Sequence, residues 1–265
     1  MNTLEAVVLG VVQGLTEFLP VSSSGHLVIA RELFGLASIP VLFDVLLHVA
    51  TLVAVVVVLR RQVAAFLVAI GRWIQRRVRD EDRPYLRLVP IVVVTTGITG
   101  VIGIVLDGAF DIRNPVVTSG LFLVTAFLLL LTRWSRGSRT MFGISWKDAA
   151  ILGVAQGFGV LPGISRSGIT ISAALYSGMD RKTAGEYSFL LSIPAILGAL
   201  VLTARDMGTL ESQMNIGVVL IGCTVAGVVG YAALRMLLRV VQAGKIYLFG
   251  LYLVPLGVWG LIGYW

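Results

Sequence analysis

The chain has a single cysteine, Cys223, so no disulfide can form within it, and the residue says nothing about redox compartment. Within an apolar run, Cys223 reads as a packed or lipid-facing side chain. Charge is equally scarce: only 13% of the 265 residues are Asp, Glu, Lys or Arg, against 57% hydrophobic. With a mean hydropathy of +0.93, few helices could face water, which excludes an ordinary soluble domain. A cleavable leader is not expected. The first residues have no basic stretch, carry Glu5 and Glu17, and show no small-residue cleavage site before Pro20. There are only two histidines, His26 and His48.

The net charge of +7 invites a nucleic-acid reading, but the positions of the charges argue against it. Eight arginines lie between 60 and 87, interrupted by Asp80-Glu81-Asp82. Arg133, Arg136, Arg139 and Lys147 form a second cluster, and Arg235, Arg239 and Lys245 a third. The loops between, 107–114 and 206–214, lean acidic through Asp107, Asp111, Asp206 and Glu211. Basic loops stay on the cytoplasmic side, which orients the chain and makes the basic run a solvated face near anionic headgroups.

Crossing about 30 Å of hydrocarbon takes roughly 20 residues. Six segments qualify, near 41–60, 86–106, 115–132, 184–205, 215–235 and 245–264. Residues 62–79, with Phe66, Leu67, Ile70, Trp73 and Ile74 among arginines, suit an interfacial helix. Residues 1–40 and 148–183 each contain two shorter apolar pieces broken by Pro, Gly and Ser. The preferred reading is a re-entrant helix–loop–helix hairpin at each; the rival takes 3–20 and 148–161 as ordinary short spans. One hairpin plus three spans per half makes the second half enter upside down. The expected fold is therefore all-α, a single polytopic membrane domain over 1–265. It has six transmembrane helices, two re-entrant hairpins and inverted-repeat halves near 1–132 and 148–265.

The repeat is legible in the letters. Setting Gln13 on Gln156 lays Ser22-Ser23-Ser24-Gly25 on Ser165-Arg166-Ser167-Gly168 without a gap. Ser22 or Ser24 suits a cap for a helix starting near Gly25, and Ser165 or Ser167 one starting near Gly168. Two facing helix N-termini would receive a phosphate-like anion, and Arg166 adds a planar, permanently charged fork. A structural pairing of Arg166 with Glu17 is the rival account. Gln13 and Glu17 share a helix face. A bare carboxylate repels phosphate, so Glu17 makes sense as a ligand for a bridging divalent cation or as a proton-transfer group. His26, one turn past Ser23, could take the Ser23 proton or attack phosphorus itself, although a lone helical histidine is commonly a packing residue. Asp44 and His48, four apart on the first span, read as outer contacts or pore lining; Glu186 and Tyr187 are ambiguous.

These motifs resemble the undecaprenyl-diphosphate phosphatase, or bacitracin resistance, family. Gln13-Gly-Leu-Thr-Glu17 meets its pattern of Glu or Gln, three residues, then Glu; Pro162-Gly-Ile-Ser165-Arg166-Ser-Gly-Ile-Thr170 meets the second motif in full. The resemblance spans the whole chain. It implies a membrane hydrolase that converts undecaprenyl diphosphate to the monophosphate and inorganic phosphate, recycling the carrier for peptidoglycan and other envelope glycans. It further implies Glu17, Ser23, His26 and Arg166 as the catalytic set, with Gln13, Ser22, Ser24, Ser165, Ser167 and Thr170 as substrate contacts. A divalent cation, Mg²⁺ or Ca²⁺, at Glu17 and a site facing outside the cytoplasm go with it. Gln13 is the permitted amide variant, leaving one carboxylate rather than two. The expected partners are the polyprenyl diphosphate and membrane lipids, in the plasma membrane, with a homodimer allowed and no nucleic acid. A lipid-phosphate flippase or small-anion secondary transporter is the alternative, since broken helices in inverted repeats also build transporters. The type-2 phosphatidic acid phosphatases are set aside, because their second motif needs a histidine where this chain has Ile171.

Overall fold

The computed structural model describes residues 2–34, 41–109, 114–206 and 215–263. Eleven α-helices build it, with no β-sheet among the described residues. In chain order they are α1 (Thr3–Phe18), α2 (Ser23–Phe34), α3 (Val41–Val58), α4 (Arg60–Ile74), α5 (Arg83–Ala109) and α6 (Pro115–Leu131). Then follow α7 (Trp146–Phe158), α8 (Arg166–Tyr176), α9 (Arg181–Asp206), α10 (Ile216–Gln242) and α11 (Leu248–Gly263). All six segments expected to cross the bilayer fall on helices. Four of them, α5, α6, α9 and α10, are long and apolar enough to do so alone. The bent pair α3–α4 adds a fifth candidate, and α11 is apolar but shorter. The molecule is thus a multi-pass membrane protein. Part of the acid-leaning loops, 110–113 and 207–214, lies outside the described residues.

Local chemistry sets the breaks. α1 opens on a capping box between Asn2 and Glu5 and stops before Pro20, whose ring cannot continue a helix. α7 opens on the same device, Ser145 with Asp148. α3 turns by 84° into α4, which carries Leu67, Trp73 and Ile74 on an exposed face amid arginines. That geometry suits a helix lying along a headgroup layer. Arg72 reaches from α4 to Glu81 and Asp82 and holds the turn into α5.

Packing of the long helices depends on missing side chains. α1 lies along α10 and α7 along α5. A Cβ at Gly10 would sit 2.5 Å from the Gly222 carbonyl oxygen, and one at Gly14 2.7 Å from that of Ala226. On the other pair, a Cβ at Gly153 would sit 3.0 Å from the Thr95 oxygen, and one at Gly157 2.7 Å from Ile102. Lipid tails are as apolar as leucine, so helices associate in the bilayer through such close backbone approach.

The loop between α6 and α7 is clamped on one side. Arg139 grips both Asp148 oxygens at 2.8 Å and donates to the Ser177 carbonyl, joining the loop to the end of α8. Burial alone would raise the Asp148 carboxyl. The Arg139 guanidinium and the Ser145 donors outweigh it and hold the carboxyl at about 2. Because the folded value lies below the ordinary one, this contribution is complete above about pH 4 and fades as pH falls through 2. Asp148→Ala is expected to lower unfolding stability by about 2–3 kcal/mol at neutral pH. Thermal unfolding of the detergent-solubilised protein measures this, and the gap from wild type should close toward pH 2.

Candidate functional site

Two short breaks, one after α1 and one after α7, meet at the centre of the molecule. In the first, Ser22 adopts a left-handed backbone with φ +69°, an unusual state for a residue with a side chain and one that costs about 1–2 kcal/mol. Its contacts explain the conformation. Ser22 Oγ accepts from Gly25 N at 3.4 Å, capping α2, and from Gly163 N of the second break at 3.0 Å. Gly163 is itself left-handed, and a Cβ there would lie 2.3 Å from the Thr118 oxygen of α6. Thr125 on α6 donates to the Gly163 carbonyl at 2.9 Å and accepts from Ser165 N at 3.1 Å. Ser165 caps α8 through Gly168 N at 3.1 Å. Both breaks are therefore shaped by α6 and bonded to each other, and each starts a helix whose N–H groups point into one space.

Glu17 is the hub of that space. It is buried, and its carboxylate pairs with Arg166, 149 positions away in sequence. The other oxygen accepts from Ser23 Oγ at 2.8 Å and from Gln13 Nε2 at 3.0 Å. All of these donors suit the ionised carboxylate. His48 Nε2 stands 3.6 Å from the same oxygen, while its Nδ1 meets the Asp44 carbonyl at 2.8 Å. A cavity of about 920 Å³ opens over this group, and its polar end is walled by Glu17, Ser22, Ser23, Ser24, Ser165 and Arg166.

The remaining expected site residues stand elsewhere. Gln13 is fully buried behind Glu17, with its Oε1 lacking a partner among the described residues. Ser167 and Thr170 are buried in α8 and off the cavity wall. Ser167 Oγ bonds Ser165 Oγ at 3.2 Å, and Thr170 Oγ1 bonds the Arg166 carbonyl at 2.7 Å and also Ser188. These two position the helix that carries Arg166. His26 is not on the cavity wall. Its Nδ1 meets the Ser22 carbonyl and its Nε2 the Tyr252 hydroxyl, each at 2.9 Å, and the ring packs between Tyr252 and Phe122. Both ring nitrogens are thereby occupied, so the hydrogen bond from Ser23 expected at His26 goes to Glu17 instead. His48, read from sequence as an outer contact or pore lining, lines the cavity beside the hub, and Tyr252 carried no sequence signal at all. Glu186 and Tyr187 are not on the wall.

No group of three or more His, Cys, Asp or Glu that could hold a metal ion occurs among the described residues. The oxygens at hand are one carboxylate, the unpartnered Gln13 Oε1 and the Ser23 hydroxyl. Such a set fits a hard cation held largely by the phosphates of a ligand, as magnesium commonly is.

Taken together, the helices and the pocket define a polytopic membrane protein with a cavity at two helix breaks, where a buried carboxylate meets an arginine and a serine. The chain belongs to the bacitracin resistance protein BacA family, whose model matches residues 6–259. It is similar to the undecaprenyl-diphosphatase of Treponema denticola, with 44% identity covering 100% of this chain and 98% of that one. A protein of the same name from Desulfosudis oleivorans is 45% identical, with 97% of each chain covered. Undecaprenyl-diphosphatase 4 of Bacillus thuringiensis is 38% identical, covering 98% of this chain and 95% of its own.

The Glu17–Arg166 pair predicts a stability signature separable from function. Arg166→Met alone leaves a buried carboxylate without its cation and should cost about 3–5 kcal/mol. Adding Glu17→Gln should recover most of that loss in thermal unfolding. A double variant no more stable than the single one would mean that the two side chains do not depend on each other.

Proposed function

We propose that this chain is a membrane hydrolase that removes the terminal phosphate of undecaprenyl diphosphate. The product monophosphate returns to cell-envelope glycan synthesis, and the activity confers bacitracin resistance. One observation carries the reading: Ser23 and Arg166, supplied by different breaks, meet on one carboxylate at the mouth of a lipid-accessible-sized cavity. Family membership and the names of the relatives support it.

In this mechanism the terminal phosphate sits between the N-termini of α2 and α8, where backbone N–H groups and the Arg166 fork stabilise its charge. Arg166 releases part of its grip on Glu17 to engage phosphate oxygens. Ser23 Oγ attacks the terminal phosphorus while its proton passes to Glu17 Oε2, its present hydrogen-bond partner. The bond from that phosphorus to the bridging oxygen breaks, and the polyprenyl monophosphate leaves. Water then attacks the phosphoserine, releasing inorganic phosphate and restoring the serine hydroxyl. His26 stays in the mechanism as the residue that fixes the first break, through the Ser22 carbonyl and Tyr252. A Mg²⁺ or Ca²⁺ ion held by Glu17 and Gln13 Oε1 would neutralise charge on the diphosphate.

For the architecture, we read the chain as a single membrane domain of two inverted halves, each one re-entrant hairpin plus three spans. The exchange of partners supports this: the first helix of each half packs on the second of the three spans of the other, α1 on α10 and α7 on α5. The alignment of Gln13 with Gln156 also sets Gly10 on Gly153 and Gly14 on Gly157, the glycines of those two contacts. The basic loops set the orientation in the plasma membrane. Both α5 and α9 start from the basic side, and the cavity touches their later parts, 96–104 and 194–201, which supports an opening away from the cytoplasm.

Purified protein in detergent, where no gradient exists, should release inorganic phosphate from a C55 diphosphate; a pure carrier would release none. Ser23→Ala and Arg166→Ala should each lower kcat/KM by about 10²–10³-fold or more. Acid quenching of wild type should trap phosphate on Ser23, and full activity in Ser23→Ala would exclude this nucleophile. A chelator should lower the rate, with recovery on adding Mg²⁺ or Ca²⁺.

A further inference from the structure

The cavity does not end at the polar group. Its far wall consists of Thr96, Gly100, Gly103 and Ile104 on α5 and the stretch from Pro194 to Val201 on α9. Along α5 alone this is about 12 Å of helix. Gly100 and Gly198 in this wall differ from most glycines of the fold. At Gly10, Gly14, Gly153, Gly250 and Gly257 an added Cβ would lie within 3.0 Å of a neighbouring helix's backbone oxygen, so packing explains them. At Gly100 and Gly198 an added Cβ would meet nothing within 4 Å among the described residues. Glycine weakens a helix relative to alanine, and here no protein contact offsets that cost.

A second observation also points to a ligand. Thr96 Oγ1 and Gln156 Oε1, buried atoms on residues that line the cavity from α5 and α7, have no hydrogen-bond partner among the described residues. Gln156 is 1% exposed, and its Nε2 is already committed to Thr99 at 3.2 Å. A buried amide oxygen and a buried hydroxyl left bare at a cavity wall call for an occupant that brings water or hydroxyl groups with it. A hydrated phosphate group does so. Beyond it, Ile104, Leu197 and Val201 present apolar surface without polar partners.

Resting on the phosphatase reading, we propose that Gly100 and Gly198 are specificity-determining residues. They keep open the slot between α5 and α9 through which the first isoprene units of a polyprenyl diphosphate leave the polar pocket for the lipid. The diphosphate end lies against Ser23 and Arg166, and the Thr96 and Gln156 groups meet its water. The chain then runs over the two glycines and out past Leu197 and Val201. This assigns the lipid exit to one specific pair of helices and makes two missing side chains the gauge for a branched, unsaturated tail.

The test combines turnover with a binding readout. Gly100→Leu and Gly198→Leu should each raise KM for a C15 prenyl diphosphate about tenfold or more, with kcat within about twofold. Gly100→Ala, which strengthens the helix and fills less space, should give a smaller rise. Gly71→Leu, at an equally open glycine on α4 away from the cavity, should change neither constant. A diazirine-bearing C15 diphosphate, photolysed on wild-type protein, should label peptides covering 96–104 and 194–201, and Gly100→Leu should lose that label. Labelling of other helices, or an unchanged KM in both leucine variants, overturns the proposal. Labelling of α5 and α9 without phosphate release from wild type would leave the slot standing and refute the phosphatase reading instead.

Discussion

A buried carboxylate that has to be answered governs this structure. Glu17 lies at the end of a helix in an apolar protein, where an unpaired charge would cost several kcal/mol. Its cation arrives from the other half of the chain on one carboxylate oxygen, and the other oxygen takes an amide and a hydroxyl. Forming that group requires both helix breaks to be in place. Everything that shapes them, from the cap at Ser22 to the α6 hydroxyl of Thr125, serves this one arrangement. A buried ion pair is seldom a gain in stability over well-packed apolar residues, so its presence is better explained by what the charges do when a ligand comes. Arg166 keeps 22% of its side chain exposed and lines the cavity while it pairs with Glu17.

Polar chemistry inside so apolar a protein is tolerated because the loop backbone is satisfied by protein. Gly163 N finds Ser22 Oγ, Ser165 N finds Thr125 Oγ1, and the helix starts are capped by serines. Among the buried polar atoms without a partner in the described residues, Gln13 Oε1 lies behind the hub, and Thr96 Oγ1 and Gln156 Oε1 belong to residues that line the cavity. The same economy of side chains that lets α1 press against α10 also leaves room where α5 and α9 flank the pocket. Glycine thus serves two ends in one molecule, closing some helix pairs and leaving open space beside the cavity.

Much of this could be seen in the sequence, and the reasons are specific. Pro20 and the serine clusters mark the breaks because proline and hydroxyls have strong positional chemistry, and the helices start where Ser22 and Ser165 were expected to cap them. The arginines amid Phe66 and Trp73 suit an interfacial helix, and α4 does form a separate helix, set at 84° to α3. The pairing of Arg166 with Glu17 could be named but not ranked against phosphate binding, since the two readings use the same atoms. Spacing along one helix could not say which way His26 turns. That depends on Tyr252, which lies 226 positions further along the chain. His48 was undervalued for the same reason: its neighbour of consequence is on another helix. Four of the six expected spans are single helices long and apolar enough to cross a bilayer; α3 reaches that length only together with α4, and α11 is a shorter apolar helix.

The exchange of partners between halves has a consequence for biosynthesis. α1 carries Gln13 and Glu17 into the membrane early, yet the surface it fits, on α10, begins at Ile216. Until most of the polypeptide has emerged from the ribosome, that helix holds a carboxylate and an amide with neither its neighbour nor its arginine. α1 can therefore reach its final packing only after α10, close to the end of the chain, has been made.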